Sequence, residues 1–483
     1  MVSNISKSEV VSSLFWKFME RVGAQGIQFV VTIILGRLLL PRDFGIIALL
    51  TIFIAVANVF IQSGFSSALI QKKSTDNLDY SSVFYLSLFI AAIFYIILFL
   101  AAPIIATFYR NMNLIPILRV ISLTLFPGAF NSIQVAYISK RLEFKKLFFG
   151  SFLAGIISGI IGISLAYLNF GVWALVYQQL ISQISVCFIL WFTVCWRPQL
   201  IFSFHRIKEL FNFGWNILLS GLLNTVYNNI QSLIIGRVYS PAILGLYNRG
   251  QSFPTLFVTN IDSSIQAVLL PTMAEYQNDK EKVKNIVRRA IMTSSFFIFP
   301  LMLGLAVVAK PLVLTLLTDK WLAAVPFIQI FCIGYAVWPM QTANLQAIIS
   351  LGYTNIYLKL EIIKKIIGTF IIVISVFLGV YAISWGFVIV SFISTFINAY
   401  PNLKLLNYSY GEQWKDILPS LILAIGMSAL IYPIGLSNWP SWIVLISQFS
   451  VALIFYFGIA IKLKLVALKY IVVTFCDFLN KRG

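Results

Sequence analysis

The chain has 483 residues, of which 60% are hydrophobic and only 11% are charged, whereas charged residues make up about 25% of an ordinary soluble domain. This composition excludes a soluble globular protein and predicts an integral membrane protein. The formal net charge of +19 requires no nucleic-acid partner, because lysine and arginine gather in the loops of membrane proteins that stay in the cytoplasm.

Apolar runs of about 20 residues, the length that crosses a ~30 Å hydrocarbon core, occur along the whole chain. Six are predicted near 12–38, 41–65, 80–108, 113–138, 147–169 and 171–195. Six more lie near 207–238, 242–270, 290–316, 323–350, 357–378 and 380–403, and two last ones near 417–436 and 440–463. The sequence therefore predicts an all-α integral membrane protein of about 14 transmembrane helices, which we number as spans 1 to 14.

The two groups of six spans are copies of one unit. A Gly-Arg pair, a proline and a glycine occur as Gly36, Arg37, Pro41 and Gly45, and again 200 residues later as Gly236, Arg237, Pro241 and Gly245. Ordered correspondence of this kind is the signature of a repeat. A repeat with an even number of spans returns the chain to its starting side, so the copies are parallel and form two lobes related by an axis along the membrane normal.

The repeat predicts three parts of the chain. Residues 1–200 form an N-terminal six-helix lobe, 201–408 a second six-helix lobe, and 409–483 two extra transmembrane helices with an amphipathic cytoplasmic tail. The stretches Glu275 to Arg289 and Lys462 to Arg482 mix charged and apolar residues, which predicts helices on the inner membrane surface.

The distribution of positive charge predicts that both termini are cytoplasmic. Placing the N-terminus inside puts 27 of the 35 lysines and arginines on the cytoplasmic side, as the positive-inside rule requires.

Sequence signatures of enzymatic chemistry are missing. The chain has no GxxxxGK[ST] phosphate-binding loop, and its one histidine, His205, lies in a predicted cytoplasmic loop. The four cysteines are predicted to be buried apolar side chains rather than disulfides or metal ligands; they are Cys187, Cys195, Cys332 and Cys476. We therefore predict no cofactor and no enzymatic activity, and any uphill work must draw on an ion gradient or another protein.

Polar side chains inside the spans mark the candidate site, because such residues usually face the protein interior or a water-filled cavity. Span 7 carries Ser220, Asn224, Asn228 and Gln231 on one helical face, and span 1 has Glu20 and Gln28 at equivalent positions. Further polar residues are Asn58 and Gln62 in span 2, Asn131 and Gln134 in span 4, Asn260, Asp262 and Gln266 in span 8, and Gln341, Asn344 and Gln346 in span 10. The fifth and sixth spans of each half contain comparatively few polar residues.

Two interpretations of these residues are open. They form hydrogen bonds between helices, or they line a central cavity between the two halves, which the matching stripes of equivalent helices favour. Amide groups are better suited to binding sugar hydroxyls than to forming a narrow ion filter. The predicted cavity residues are Arg249, Gln28, Asn58, Gln62, Gln134, Asn224, Asn228, Gln231 and Gln346.

Arg249 lies one or two helical turns inside span 8, where the first copy has Leu49. An isolated arginine at that depth costs several kcal/mol by some estimates, so it needs a partner. A guanidinium grips phosphate with two hydrogen bonds, and an anionic ligand is therefore one interpretation. The alternatives are an ion pair with Asp43 or Glu20, or snorkelling to the outer surface.

The sequence resembles the polysaccharide transporter branch of the multidrug, oligosaccharidyl-lipid and polysaccharide exporter superfamily, the Wzx-like flippases. The resemblance rests on GAQGIQFVVTIILGRLLLPRDFGIIAL and FIQSGFSSALIQKK in the first half and on SLIIGRVYSPAILGLYNRGQSF and LLPTMAEYQND in the second. It implies a two-lobed transporter that moves an undecaprenyl-pyrophosphate-linked oligosaccharide from the inner to the outer leaflet of the bacterial cytoplasmic membrane by alternating access, for the synthesis of O-antigen, capsule or exopolysaccharide.

The resemblance also implies partners and a site. Basic cavity residues meet the pyrophosphate in such proteins, and Arg249 is the matching candidate here. Membrane lipids, a polysaccharide polymerase machinery and a coupling ion are the implied partners. The sequence assigns no residue to the coupling ion, because the acidic residues Glu20, Asp43 and Asp262 lie near the ends of predicted spans.

Two rival functions make different demands on the sequence. An ion-coupled drug antiporter of the same fold would carry acidic residues deep in one lobe, whereas this chain is cationic and amide-rich. A membrane polymerase or ligase needs a catalytic loop outside the membrane, but the longest predicted outer loops run only around Tyr109 to Asn113 and Thr318 to Leu322.

Overall fold

All regular structure in the described part of the chain is helical. The computed structural model describes residues 7–72 and 74–471, so Cys476 and the end of the predicted cytoplasmic tail lie outside it. Eleven helical segments there are long and apolar enough to cross a membrane. The prediction of an all-α integral membrane protein is confirmed.

Three further predicted spans also form helices, but they are not among the eleven candidate membrane-crossing segments. They are spans 7, 8 and 11, which the structure forms as the continuous helices Phe204–Val238, Pro241–Glu275 and Thr354–Leu378. Spans 7 and 8 carry many polar side chains, and span 11 carries the charged residues Lys359, Glu361, Lys364 and Lys365. The count of 14 and the parallel repeat therefore stay predictions.

The helices divide between two compact units, 1–245 and 246–483. The first contains α1 (Lys7–Leu38), α2 (Pro41–Asn58), α3 (Phe65–Gln71), α4 (Asn77–Phe108), α5 (Leu114–Ile121), α6 (Leu125–Arg141), α7 (Phe144–Tyr167), α8 (Val172–Thr193), α9 (Phe204–Val238) and the start of α10 (Pro241–Glu275). The second contains the rest of α10, then α11 (Lys280–Leu316), α12 (Val325–Ala336), α13 (Trp338–Ser350), α14 (Thr354–Leu378), α15 (Val380–Leu405), α16 (Tyr410–Ile431) and α17 (Ser441–Lys462). The predicted boundary at residue 200 follows the duplication in sequence and stays a prediction.

Two short segments of other helix types keep the spans of the first unit continuous. A π-helix, Val59–Ser63, joins α2 to α3, and a 3₁₀ turn, Ser122–Thr124, joins α5 to α6. The π-helix forms one widened turn between α2 and α3, and such π-bulges often occur at functional sites.

Side-chain caps start several helices. Asp76 accepts from the backbone amide of Asp79 at 2.8 Å at the start of α4, and Asp279 accepts from that of Lys282 at 3.0 Å at the start of α11. These acceptors satisfy amides that have no partner inside the helix. The hydrogen bond from the Asp79 amide and the charge of Arg206 hold the pKa of Asp76 below its usual range.

The structure corrects the interpretation of Glu275 to Arg289 as a separate surface helix. Residues 276–279 form a turn, and residues from Lys280 onward are the first turns of the long α11. The cap at Asp279 starts a helix that continues without interruption into an apolar span. The charged stretch therefore belongs to a membrane-crossing candidate helix.

The two C-terminal helices attach to α11, since both α16 and α17 pack against it. Arg288 binds Asp416 of α16 with two hydrogen bonds of 2.6 and 2.7 Å. Lys284 pairs with Glu412 at 3.2 Å, and the Tyr408 hydroxyl donates to Asp416 at 2.8 Å. Burial and the neighbouring carboxylate raise the pKa of Tyr408.

The repeated motif brings two helices of the first unit into backbone contact. A Cβ atom at Gly45 of α2 would overlap the carbonyl oxygen of Pro241, and a Cβ at Gly245 would overlap that of Pro41. Each glycine thus faces the proline of the other copy. The repeat found in sequence therefore marks a crossing at which only glycine fits.

Candidate functional site

A polar cavity of about 260 Å³ lies within the first unit. Its lining comprises Gln28, Ile54, Asn58, Gln62, Thr124, Gly128, Gln178, Gln179, Ser182 and Gln183. Eight of these ten residues carry an amide or a hydroxyl group, and none is charged. The cavity can therefore donate and accept hydrogen bonds toward neutral polar groups.

One wall is built where α2 passes into the π-helix. Gln62 donates to the Asn58 side chain at 3.3 Å, which places both amides on one patch. Gly128 of α6 faces them, since a Cβ there would lie 3.4 Å from Asn58 Oδ1 and 3.7 Å from Gln62 Nε2. A larger side chain at position 128 would fill the space beside this amide pair.

The other wall is α8, which contributes Gln178, Gln179, Ser182 and Gln183. Asn131 of α6 donates to the backbone carbonyl of Gln183 at 3.2 Å and to its side-chain oxygen at 3.4 Å. Gln178 is buried, whereas Gln28, Gln62 and Gln183 are exposed. The cavity therefore has a buried amide at its floor and three glutamines at its mouth.

The structure gathers only part of the predicted site in this cavity. Gln28, Asn58 and Gln62 line it. Gln134 is buried at 1% exposure and lies outside the lining. On α9, Asn224 and Asn228 are exposed and Gln231 is half-buried, and none of them is a lining residue of this cavity.

The prediction that span 6 is poor in polar residues was wrong. The helix that forms this span, α8, supplies four of the polar residues that line the cavity. The signal was present in the sequence: Gln178 and Gln179 are followed one turn later by Ser182 and Gln183. Side chains four residues apart share a helical face, and this spacing forms a stripe as regular as that of span 7.

A second polar cluster joins spans 8 and 10 in the second unit. The Asp262 carboxylate on α10 accepts from the Thr342 hydroxyl on α13 through Oδ1 and from Gln266 Nε2 through Oδ2 at 2.7 Å. Gln346, a predicted cavity residue, is buried and donates to Gln266 Oε1 at 3.4 Å. Because α10 runs to Glu275, Asp262 lies well inside this helix.

Other polar residues of span 10 hold helices together, as the alternative interpretation expected. Gln341 donates to the Ser391 carbonyl of α15 at 2.9 Å. Asn344 donates to Gln413 of α16 at 2.9 Å and accepts from Asn402 of α15 at 2.8 Å. Asn344, Gln413 and Asn402 are almost fully buried, so they form a structural hydrogen-bond network.

Arg249 has an aromatic neighbour that sequence reasoning did not identify. Its guanidinium lies 5.3 Å from the ring centroid of Trp321, a fully buried residue of the 3₁₀ turn Asp319–Ala324. A cation over an indole ring is favourable, and this contact holds the guanidinium inside the second unit.

Comparisons with known proteins agree on one group. A family model described as "Polysaccharide biosynthesis protein" matches residues 34–326. The lipopolysaccharide biosynthesis protein WzxC of Escherichia coli (strain K12) is 21% identical over 438 residues, which cover 89% of this chain and 88% of WzxC. The succinoglycan biosynthesis transport protein ExoT of Rhizobium meliloti (strain 1021) is 23% identical over 337 residues, 70% of this chain and 68% of ExoT.

A solved structure shares the fold. The lipid II flippase MurJ in an inward closed conformation superposes with a TM-score of 0.75, covering 94% of this chain and 99% of MurJ. At 14% sequence identity, this likeness establishes the shared fold.

Proposed function

The chain belongs to the polysaccharide biosynthesis protein family, and we propose that it moves an undecaprenyl-pyrophosphate-linked oligosaccharide from the inner to the outer leaflet of the bacterial cytoplasmic membrane. The protein is a multi-pass membrane transporter of polysaccharide biosynthesis. The proposal adds the chemical identity of the lipid, the direction of movement by alternating access, and cytoplasmic N- and C-termini.

The neutral, amide-rich cavity of the first unit is the observation that carries the proposal. A sugar presents many hydroxyl groups, each of which donates and accepts hydrogen bonds, and side-chain amides offer both functions. Gln28, Gln62 and Gln183 at the mouth and Gln178 at the floor can engage hydroxyls without a charge. Asn224, Asn228 and Gln231 of α9 remain proposed substrate-binding residues.

A separate apolar cavity supports a substrate with a hydrocarbon part. It has a volume of about 570 Å³ and lies in the second unit among α10, α11, α16 and α17. Phe257, Leu301, Met427 and Phe449 contribute to its lining. Apolar surface of this kind favours a hydrocarbon chain over an aqueous solute.

Arg249 is the proposed contact for the pyrophosphate, and the proposal includes three kinds of partner. Membrane lipids surround the apolar helices. A coupling ion drives uphill movement, and a polysaccharide polymerase consumes the product in the outer leaflet.

The proposal is tested by replacing mouth glutamines with leucine, which keeps side-chain volume and removes hydrogen bonding. In a strain that lacks the chromosomal gene, the double variant Gln62→Leu, Gln183→Leu should export surface polysaccharide at least about tenfold more slowly, because two hydrogen bonds are worth about 1 kcal/mol each. Gln329→Leu, at an exposed position of α12, is the matched control. Normal export by the double variant at equal abundance contradicts the proposal.

The same strain separates the rival functions. Loss of flipping leaves lipid-linked units facing the cytoplasm, whereas loss of a polymerase leaves single units exposed outside. Unchanged polysaccharide together with loss of drug efflux indicates an antiporter.

A further inference from the structure

Asp262 differs from the buried carboxylates Asp79 and Asp416 because it forms no ion pair with any described residue. The side chains of Asp79 and Asp416 are 1% and 5% exposed, and each forms an ion pair, with Lys72 at 2.8 Å and with Arg288 at 2.6 Å. Asp262 is half-buried, and in the part of the chain that the structure describes it accepts hydrogen bonds only from neutral groups.

The two helices that supply the hydrogen-bond donors of Asp262 carry no charged residue close to it. Helix α13, which supplies Thr342, contains no titratable residue over Trp338–Ser350. On α10 the nearest charged residues are Arg249 and Glu275, each 13 positions from Asp262, a separation of about 20 Å at 1.5 Å per residue. The other titratable residue of α10 is Tyr247, which is farther along the helix than Arg249.

An isolated carboxylate inside a membrane protein is costly when ionised, because low-dielectric surroundings penalise the charge. Binding a proton removes that cost. The neighbours suit both forms: the Thr342 hydroxyl donates to an ionised carboxylate and accepts from a protonated one. Asp262 therefore keeps a hydrogen-bond partner whether or not it carries a proton.

In the orientation that the structure gives them, the neighbours of Asp262 present hydrogen-bond donors to its carboxylate rather than metal ligands. A divalent cation such as Ca²⁺ or Mg²⁺ requires several oxygen ligands, whereas Gln266 directs an N–H group at Oδ2. The described residues contain no group of three or more histidine, cysteine or acidic side chains that could hold a metal. The geometry favours a proton over a metal ion.

We propose that Asp262 is the proton-exchanging group that couples transport to the proton gradient, an inference that rests on the proposed export function. An O–H bond forms on the Asp262 carboxylate with a proton taken from the outer aqueous phase. The same bond breaks when that proton is released to the cytoplasm, and the carboxylate returns to its ionised form. Thr342 and Gln266 position the carboxylate through both steps.

Infrared difference spectroscopy of the purified full-length protein in lipid nanodiscs tests proton uptake without any substrate. The C=O stretching band of a protonated carboxyl group should grow as pH falls across the range in which the protein stays folded. The band should be absent in Asp262→Asn and retained in Asp279→Asn, whose asparagine can still cap α11. Thr342→Val should shift its frequency, because the O–H group of the protonated carboxyl loses its hydrogen-bond acceptor.

Two spectroscopic outcomes would overturn the proposal. A band that is unchanged in Asp262→Asn shows that another group takes up the proton. A band lost in Asp262→Asn but constant at every pH shows that Asp262 holds its proton permanently and cannot exchange it.

A second arm measures surface polysaccharide in cells at matched protein abundance. Asp262→Asn should reduce export to the empty-vector level, and Asp262→Glu should restore part of it because the exchangeable carboxyl returns. Normal export by Asp262→Asn overturns the coupling role. If deletion of the gene itself leaves polysaccharide unchanged, the proposed function fails, while the spectroscopic result still decides whether Asp262 exchanges a proton.

Discussion

At the residue scale, Arg249 is held by an aromatic contact. Its guanidinium rests against Trp321, which offsets part of the cost of placing a cation inside the protein. The contact therefore fixes the position of the charge within the second unit.

We expect Arg249→Ala to abolish polysaccharide export while the protein still inserts at normal abundance. Arg249→Lys should keep partial activity, because the charge survives although the planar fork that binds phosphate at two points does not. Lys310→Ala, at an exposed lysine of α11, is the control. Normal export by a well-folded Arg249→Ala would remove Arg249 from the site, and poor folding would indicate a structural role.

At the scale of elements, the crossing of α2 with the start of α10 depends on two glycines. Gly45 and Gly245 let the backbones approach until each glycine meets the proline carbonyl of the other copy. In sequence, the same residues indicated only a repeat. Their role as a paired contact appears when both copies are placed together.

Gly45→Ala should destabilise the protein by about 1–3 kcal/mol, the usual cost of inserting atoms into a tightly packed contact. Gly26→Ala is the matched control, because a Cβ at that helical position meets nothing within 4 Å and alanine favours a helix by up to about 1 kcal/mol. Thermal unfolding in detergent should show a lower Tm for the first variant and an equal or higher Tm for the second. Equal Tm values would mean that the crossing can relax without loss.

At the scale of the whole molecule, the positive charge of the chain is best explained as a topology signal. The excess of lysine and arginine lies in segments that the positive-inside rule places in the cytoplasm.

Cysteine labelling checks this orientation. In a background without native cysteines, Lys145→Cys and Lys280→Cys should react with an impermeant thiol reagent only in inside-out vesicles, and Asn113→Cys should react in intact cells. Lys280 is exposed, so failure to react is not explained by burial. Labelling of Lys280→Cys in intact cells would reverse the predicted topology.

Membrane class, helical fold and family were accessible from the sequence, because hydropathy and repeat spacing are written along the chain itself. The search for polar residues inside the spans named Gln28, Asn58 and Gln62, which line one cavity. It also named Asp262 in span 8 and Gln346 in span 10, which lie in one cluster with Thr342 and Gln266.

Only the tertiary structure decided what each polar face meets. The spacing of Gln178 and Gln183 marks a helical face, but their place opposite Asn58 and Gln62 in one cavity depends on how α8 packs. Gln134 carries the same amide group as the lining glutamines, but it is buried outside this cavity. Periodicity specifies the direction of a side chain around its own helix, whereas the partner in that direction is set by contacts between segments far apart in sequence.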